Sequence, residues 1–181
     1  WMSVQQIIKV SSNIGAAKIG ARIGAQRLHQ TLKNFGFGDR TGIDCPGETG
    51  GRLADYRQWR KIDASAIAFG QGISASAVQL VAATAAIANG GVLMKPYLVQ
   101  AVTDSQGRLI KKVEPFPIRR VVSAETARTV RRILHTVVTE GGTGENAAIE
   151  GYAVGGKTGT AQKVEPTGGY SKTKFIASFL G

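Results

Sequence analysis

The segment from Phe35 to Arg60, FGFGDRTGIDCPGETGGRLADYRQWR, constrains this chain more than any other stretch. Its glycines, its proline and its lack of apolar periodicity exclude a long helix or a continuous strand. A connection of this length inside a compact domain is either functional or folded locally without regular structure. It separates two helical stretches. Before it, Ile14, Ile19, Ile23, Leu28 and Leu32 recur at helical intervals, which predicts one helix over about Ile14–Asn34 with Gly36 as its stop. Gly20 and Gly24 form GxxxG within it, but Lys18, Arg22 and Arg27 make close packing in water, not in lipid, the expected use. After the connection, Ser74 or Ser76 starts a helix, SAVQLVAATAAIANGG, that is apolar nearly all round. That pattern predicts a buried central helix ended by Gly90-Gly91.

Two short strand patterns follow, about Tyr97–Thr103 and Arg108–Glu114, joined at Asp104-Ser105-Gln106-Gly107 as a hairpin. Ser123 then reads as the N-cap of a helix running to about Glu140. Ala127, Val130, Ile133, Val137 and Val138 line one face of it, and Gly141-Gly142 stop it. The last residues predict two strands, about Ala153–Val164 and Lys174–Leu180, around a Pro166-Thr167-Gly168-Gly169 turn. The expected class is α/β in an α+β arrangement. A mainly helical part spans about 1–150 with a small hairpin near 97–114, and antiparallel strands occupy about 151–181.

At 181 residues, 43% hydrophobic and 19% charged, the chain suits one folded domain and not a disordered one. Opening on Trp1 and closing on the apolar FIASFLG, it is expected to be a piece of a larger domain, truncated at both ends. The longest apolar stretch, Val78–Ala88, is about half the length that crosses a bilayer. A net charge of +11 raises the question of nucleic acid. The basic residues are spread out, however, with small clusters only at Arg57/Arg60/Lys61, Arg119/Arg120 and Arg128/Arg131/Arg132, and no aromatic residues interleave with them as stacking platforms. A diffuse positive field suits work beside any anionic polymer or surface. Cys45 has no second cysteine to pair with and no metal-ligand neighbours, so it reads as structural. His29 and His135 lie among polar neighbours on helices and read as surface or interface histidines.

Three motif matches compete. GYAVGGKT, Gly151–Thr158, satisfies the phosphate-loop pattern, but that loop needs a buried strand before it and a helix after it. The preceding NAAIEG is not such a strand, and GTAQKVEPTGG is poor helix sequence. The same lysine also opens Lys157-Thr158-Gly159-Thr160, placed on a predicted strand, with Ser11-x-Asn13 far upstream at a helix start. KTG and Ser-x-Asn are two of the three elements of the penicillin-binding and serine β-lactamase signature. In isolation Ser11–Asn13 would read simply as a helix cap. The third match, Ser171-Lys172-Thr173-Lys174, fits the S-x-x-K nucleophile motif in letters only. It follows KTG in the chain, and on a strand residues three apart point to opposite faces.

Longer blocks sharpen the second reading: SSNIGAAKIG, RTGIDCPGETGG, AFGQGISASAVQLVAATAAIANGGVLMKPYLV and GGTGENAAIEGYAVGGKTGTAQKVEPTGGYSKTKFIASF. In these residues and their order, the chain resembles the transpeptidase domain of class B penicillin-binding proteins, above all the cell-division type. The resemblance covers essentially the whole chain. It implies a D,D-transpeptidase that cross-links peptidoglycan stem peptides ending in D-Ala-D-Ala by serine acyl transfer and is acylated by β-lactams. It further implies a location on the extracytoplasmic (periplasmic) face of the bacterial inner membrane, anchored by a segment not present here. Division or elongation proteins are implied as partners, and no cofactor, metal or nucleic acid.

By motif, the resemblance makes Ser11 a proton relay, Asn13 a ligand of the substrate's peptide carbonyl, and Lys157 the cation facing the substrate carboxylate. Thr158 and Thr160 would bind that carboxylate by their hydroxyls, the Thr160 N–H would be an oxyanion donor, and Gly159 would leave room along the strand edge. No acceptable S-x-x-K precedes Ser11, so the nucleophile and general base are missing and residues 1–181 alone are expected to be inactive. A non-catalytic β-lactam-binding sensor or interaction module, or a basic nucleic-acid-binding fragment, are the alternatives.

Overall fold

The computed structural model describes residues 1–60, 62–166 and 168–181. Lys61 of the first basic cluster and Thr167 of the last expected turn lie outside them. In chain order the elements are α1 (Val4–Lys9), α2 (Asn13–Ile23), α3 (Ala25–Asn34), α4 (Asp63–Ile67), α5 (Ala77–Ala88), β1 (Val92–Met94), β2 (Ala101–Thr103), β3 (Leu109–Lys112), β4 (Pro117–Arg120), α6 (Ala124–Val137), β5 (Lys157–Val164) and β6 (Tyr170–Leu180). Short 3-10 turns occupy Tyr56–Gln58 and Glu145–Ala147. The strands pair antiparallel as β1–β4, β2–β3 and β5–β6, three two-stranded sheets among the described residues. Helices with antiparallel sheet are the expected class. The chain groups into two compact units, one of Trp1–Leu28, Asp55–Gly72 and Arg128–Gly181, the other of His29–Ala54 and Ile73–Ala127.

The single helix expected over Ile14–Asn34 is two helices, α2 in the first unit and α3 continuing past Leu28 into the second. Gly24 adopts φ +84, a left-handed conformation that α-helix does not permit, and the chain restarts at Ala25. The GxxxG pair therefore divides its labour. Gly20 is buried, and a Cβ there would lie 3.0 Å from the Ala64 carbonyl and closer still to the Ala68 side chain, so its missing side chain lets α2 seat against α4. Gly24 breaks the helix instead. Helix α1 was not visible in the apolar pattern, because its capping box, Ser3 with Gln6, carries the signal and only a single turn and a half follows. At the end of the second unit Ser123 caps α6 by accepting the Thr126 N–H at 3.0 Å, as expected. Val137 and Val138 on the expected apolar face are buried. Strand β5 starts later than expected and β6 earlier.

In the second unit the glycine-rich connection is held by side chains in place of ladders. Gln79, only 1% exposed, donates from Nε2 to the carbonyls of Gly36 (3.2 Å), Asp39 (2.7 Å) and Gly50 (2.8 Å). Glu48 accepts from the Thr41 hydroxyl (2.6 Å) and the Gly42 N–H (3.0 Å), and Asp44 accepts the Leu98 and Val99 amides. These bonds hold both carboxyls below their ordinary range, the Thr41 hydroxyl leading for Glu48 and the Leu98 amide for Asp44. Arg52 and Ser74 add an isolated antiparallel bridge. Cys45 sits exposed on a bend of this segment and packs into no core, which corrects its structural reading.

Helix α5 is capped by Ser76 with Gln79 at the third position. It is not buried all round: Gln79, Ala82 and Ala86 are buried while Val81 is 60% exposed. Small alanine side chains make a helix look uniformly apolar although only one face packs, here against Leu93 of β1 with Phe35, Ile118 and Val121. The pairing of β1 with β4 leaves no sequence signal, because three- and four-residue strands carry too little alternation to read. The β2–β3 hairpin lies where expected but is shorter, its turn fixed by Asp104, which accepts the Gln106 and Arg108 amides at 2.9 Å each.

Candidate active site

Ser11 owes its position to the join between α1 and α2. Ser11 N–H donates to the Ile8 carbonyl and Ser12 N–H to the Ile7 carbonyl, which turns the chain sharply at the end of α1. Ser12, not Ser11, caps α2, its hydroxyl accepting the Gly15 N–H at 3.2 Å. The cap reading of the triplet is thus correct for its middle residue and leaves Ser11 without that duty. Ser11 carries φ +54, the only positive φ outside glycine among the described residues. A non-glycine residue in that region is strained by about 1–3 kcal/mol and persists only where its surroundings impose it. Asn13 is the exposed first residue of α2.

Lys157, Thr158, Gly159 and Thr160 open β5 and pair with Leu180, Phe179, Ser178 and Ala177 of β6. The Lys157 ammonium donates to Ser11 Oγ at 2.9 Å, to the Thr158 carbonyl at 2.9 Å and to the Thr158 hydroxyl at 3.2 Å. All three acceptors are neutral, and no carboxylate pairs with Lys157 among the described residues. Partial burial without a counter-charge pushes its pKa below the ordinary 10.5. An unpaired cation on a strand with one unpartnered edge in the described structure attracts an anionic end group. Thr160 is exposed, and a Cβ on Gly159 would come within 2.7 Å of the Ser178 hydroxyl. The structure therefore brings Ser11 and the KTGT strand together from positions 146 residues apart.

Thr143 carries no signal in the sequence, and His135 is exposed, as the surface reading expects. Thr143, in the GGTG turn after α6, has its hydroxyl 2.8 Å from that of Thr158. His135 donates from Nδ1 to the Val154 carbonyl at 2.6 Å, and Gly156 N–H donates to the Leu134 carbonyl, so α6 fastens the lead into β5. Ser171 is 3% exposed and its hydroxyl accepts the Lys174 amide at 3.1 Å. Its partner in the S-x-x-K letters thus supplies a main-chain N–H, not an amine. Because the β5–β6 register shifts between Gln162 and Val164, strict strand alternation does not run across Ser171–Lys174. No group of three or more His, Cys, Asp or Glu able to hold a metal occurs among the described residues.

A strand-borne Lys-Thr-Gly facing a Ser-x-Asn serine, on mixed helices and antiparallel sheet, defines the serine acyl-transfer class that includes penicillin-binding proteins. The chain belongs to the penicillin-binding protein transpeptidase domain family, which it matches over residues 1–181. It is 42% identical over 97% of its length to stage V sporulation protein D of Bacillus subtilis, covering 27% of that protein. It is 32% identical over 99% of its length to the peptidoglycan D,D-transpeptidase FtsI of Escherichia coli, covering 29% of it. Penicillin-binding protein 3 of Mycobacterium tuberculosis, solved in complex with ampicillin, superposes with a TM-score of 0.91 at 35% identity, over 98% of this chain and 40% of that one. The chain thus spans about a quarter of the length of these curated relatives.

Proposed function

We propose that this chain supplies the substrate-binding strand and the proton-handling serine of a peptidoglycan D,D-transpeptidase. The observation that carries the reading is the Lys157 ammonium, bonded only to neutral oxygens and 2.9 Å from Ser11 Oγ. Lys157, Thr158 and Thr160 hold the terminal carboxylate of a D-Ala-D-Ala stem peptide, which lies along the free edge of β5 past Gly159. The nucleophilic serine and its general-base lysine come from outside residues 1–181. The serine gives its proton to that lysine as its oxygen attacks the penultimate D-alanine carbonyl, and the Thr160 N–H receives part of the oxyanion charge. The peptide C–N bond breaks, and Ser11, in contact with Lys157, delivers the proton that lets D-alanine leave as an amine. Asn13 holds the substrate's peptide carbonyl. An amine of a neighbouring stem then attacks the acyl-serine ester, loses a proton by the same route and regenerates the serine.

A β-lactam bearing a carboxylate fits the same groups and acylates the same serine. The stem-peptide substrate places the enzyme on the extracytoplasmic face of the bacterial inner membrane, anchored by a segment outside these residues, among division or elongation proteins. The reading is tested by giving the full-length protein a stem peptide ending in D-Ala-D-Ala and an amine acceptor. Free D-alanine and a cross-linked product are expected; release of neither would overturn it. Residues 1–181 alone should take up no fluorescent penicillin.

A further inference from the structure

The Thr158 hydroxyl sits 2.8 Å from the Thr143 hydroxyl and 3.2 Å from Lys157 Nζ. A hydroxyl has two lone pairs and one hydrogen, whereas an ammonium only donates. Lys157 therefore occupies one Thr158 lone pair, and the Thr143 contact fixes what remains. If Thr158 donated to Thr143, Thr143 would pass its own hydrogen to the Lys9 carbonyl at 3.5 Å, a long and weak bond. If Thr143 donates to Thr158, both Thr158 lone pairs are filled and its hydrogen is free to point only at a further acceptor. An anion at that place favours the second arrangement, because a hydrogen bond to a carboxylate is about twice as strong as one to a neutral oxygen.

We infer that Thr143 is a positioning residue that makes the Thr158 hydroxyl an obligate donor to the substrate carboxylate. Its main chain serves the same end: Thr143 N–H donates to the Lys9 carbonyl at 3.3 Å, next to the strained Ser11 turn. One residue of the GGTG turn thereby ties the Ser11 segment to the Thr158 hydroxyl. Its neighbours Gly142 and Gly144 carry no side chain that could take its place. The inference rests on the transpeptidase reading and deepens it, because it names the chemical group that Thr158 must meet.

The test uses the full-length protein and its Thr143→Val and Thr143→Ser variants. The second-order acylation rate constant is measured for a penicillin with a free carboxylate and for its uncharged methyl ester. Thr143→Val should slow acylation by the carboxylate form about tenfold, leave the ester within about twofold, and be rescued by Thr143→Ser. Equal losses on both ligands, or no loss on either, would overturn the inference while leaving wild-type acylation to support the transpeptidase reading. A wild-type protein that neither ligand acylates would instead remove that reading, and the inference with it.

Discussion

In the transpeptidase we propose, Lys157 works under two opposed demands. Holding a carboxylate requires its charge, whereas exchanging protons with Ser11 is easier when the charge is cheap to lose. Burial without a counter-ion pushes its pKa below 10.5 and so meets the second demand. The consequence for stability has a definite sign. As pH rises below 10.5, the folded protein gives up this proton before the unfolded chain does, so this group adds stability with rising pH in that window. Carboxylate binding runs the other way and is lost as the ammonium deprotonates. We therefore expect the acylation rate constant for a carboxylate-bearing penicillin to fall on a basic limb centred below 10.5. Lys157→Arg, whose guanidinium stays protonated throughout, should abolish that limb; a limb unchanged in the variant would assign it elsewhere.

At this scale KTGT and Ser-x-Asn were legible, because each is a fixed spacing of distinctive side chains. Which of two adjacent serines caps α2 was not, since both are equally good caps and only the left-handed backbone of Ser11 separates them. Thr143 was invisible for another reason: its role lies in a contact with a residue fifteen positions away, across a turn.

Among the elements, the glycine-rich connection depends on one helix residue. Gln79 belongs at once to the α5 capping box and to the three carbonyls that fold Gly36–Gly50. Gln79→Met keeps the volume and the helix propensity but leaves three part-buried carbonyls without their donor, so a loss of about 2–3 kcal/mol is expected. A shift in the denaturant midpoint of the full-length protein measures it; a change under about 0.5 kcal/mol would show that water satisfies those carbonyls equally well. Helix existence was readable here from periodicity and caps, with α3 hidden inside a longer apolar pattern that Gly24 interrupts. The short β1–β4 pair and the side-chain scaffold of the connection were not, because neither produces a period. A glutamine in an alanine-rich helix looks like ordinary surface, and only the three carbonyls around it show otherwise.

Over the whole molecule, two segments from opposite ends of the chain meet at one serine–lysine contact, and the family match extends over residues 1–181. On the transpeptidase reading proposed above, this chain holds the carboxylate-binding wall and the proton-handling serine, while the attacking serine belongs to residues outside it. Reacting the full-length protein with a penicillin, digesting it and locating the adduct by mass spectrometry identifies that serine. A single penicilloyl adduct is expected on a serine outside residues 1–181, followed three positions later by a lysine. An adduct on Ser11, on Ser171 or on any other residue of 1–181 would contradict it, and so would recovery of every serine unmodified.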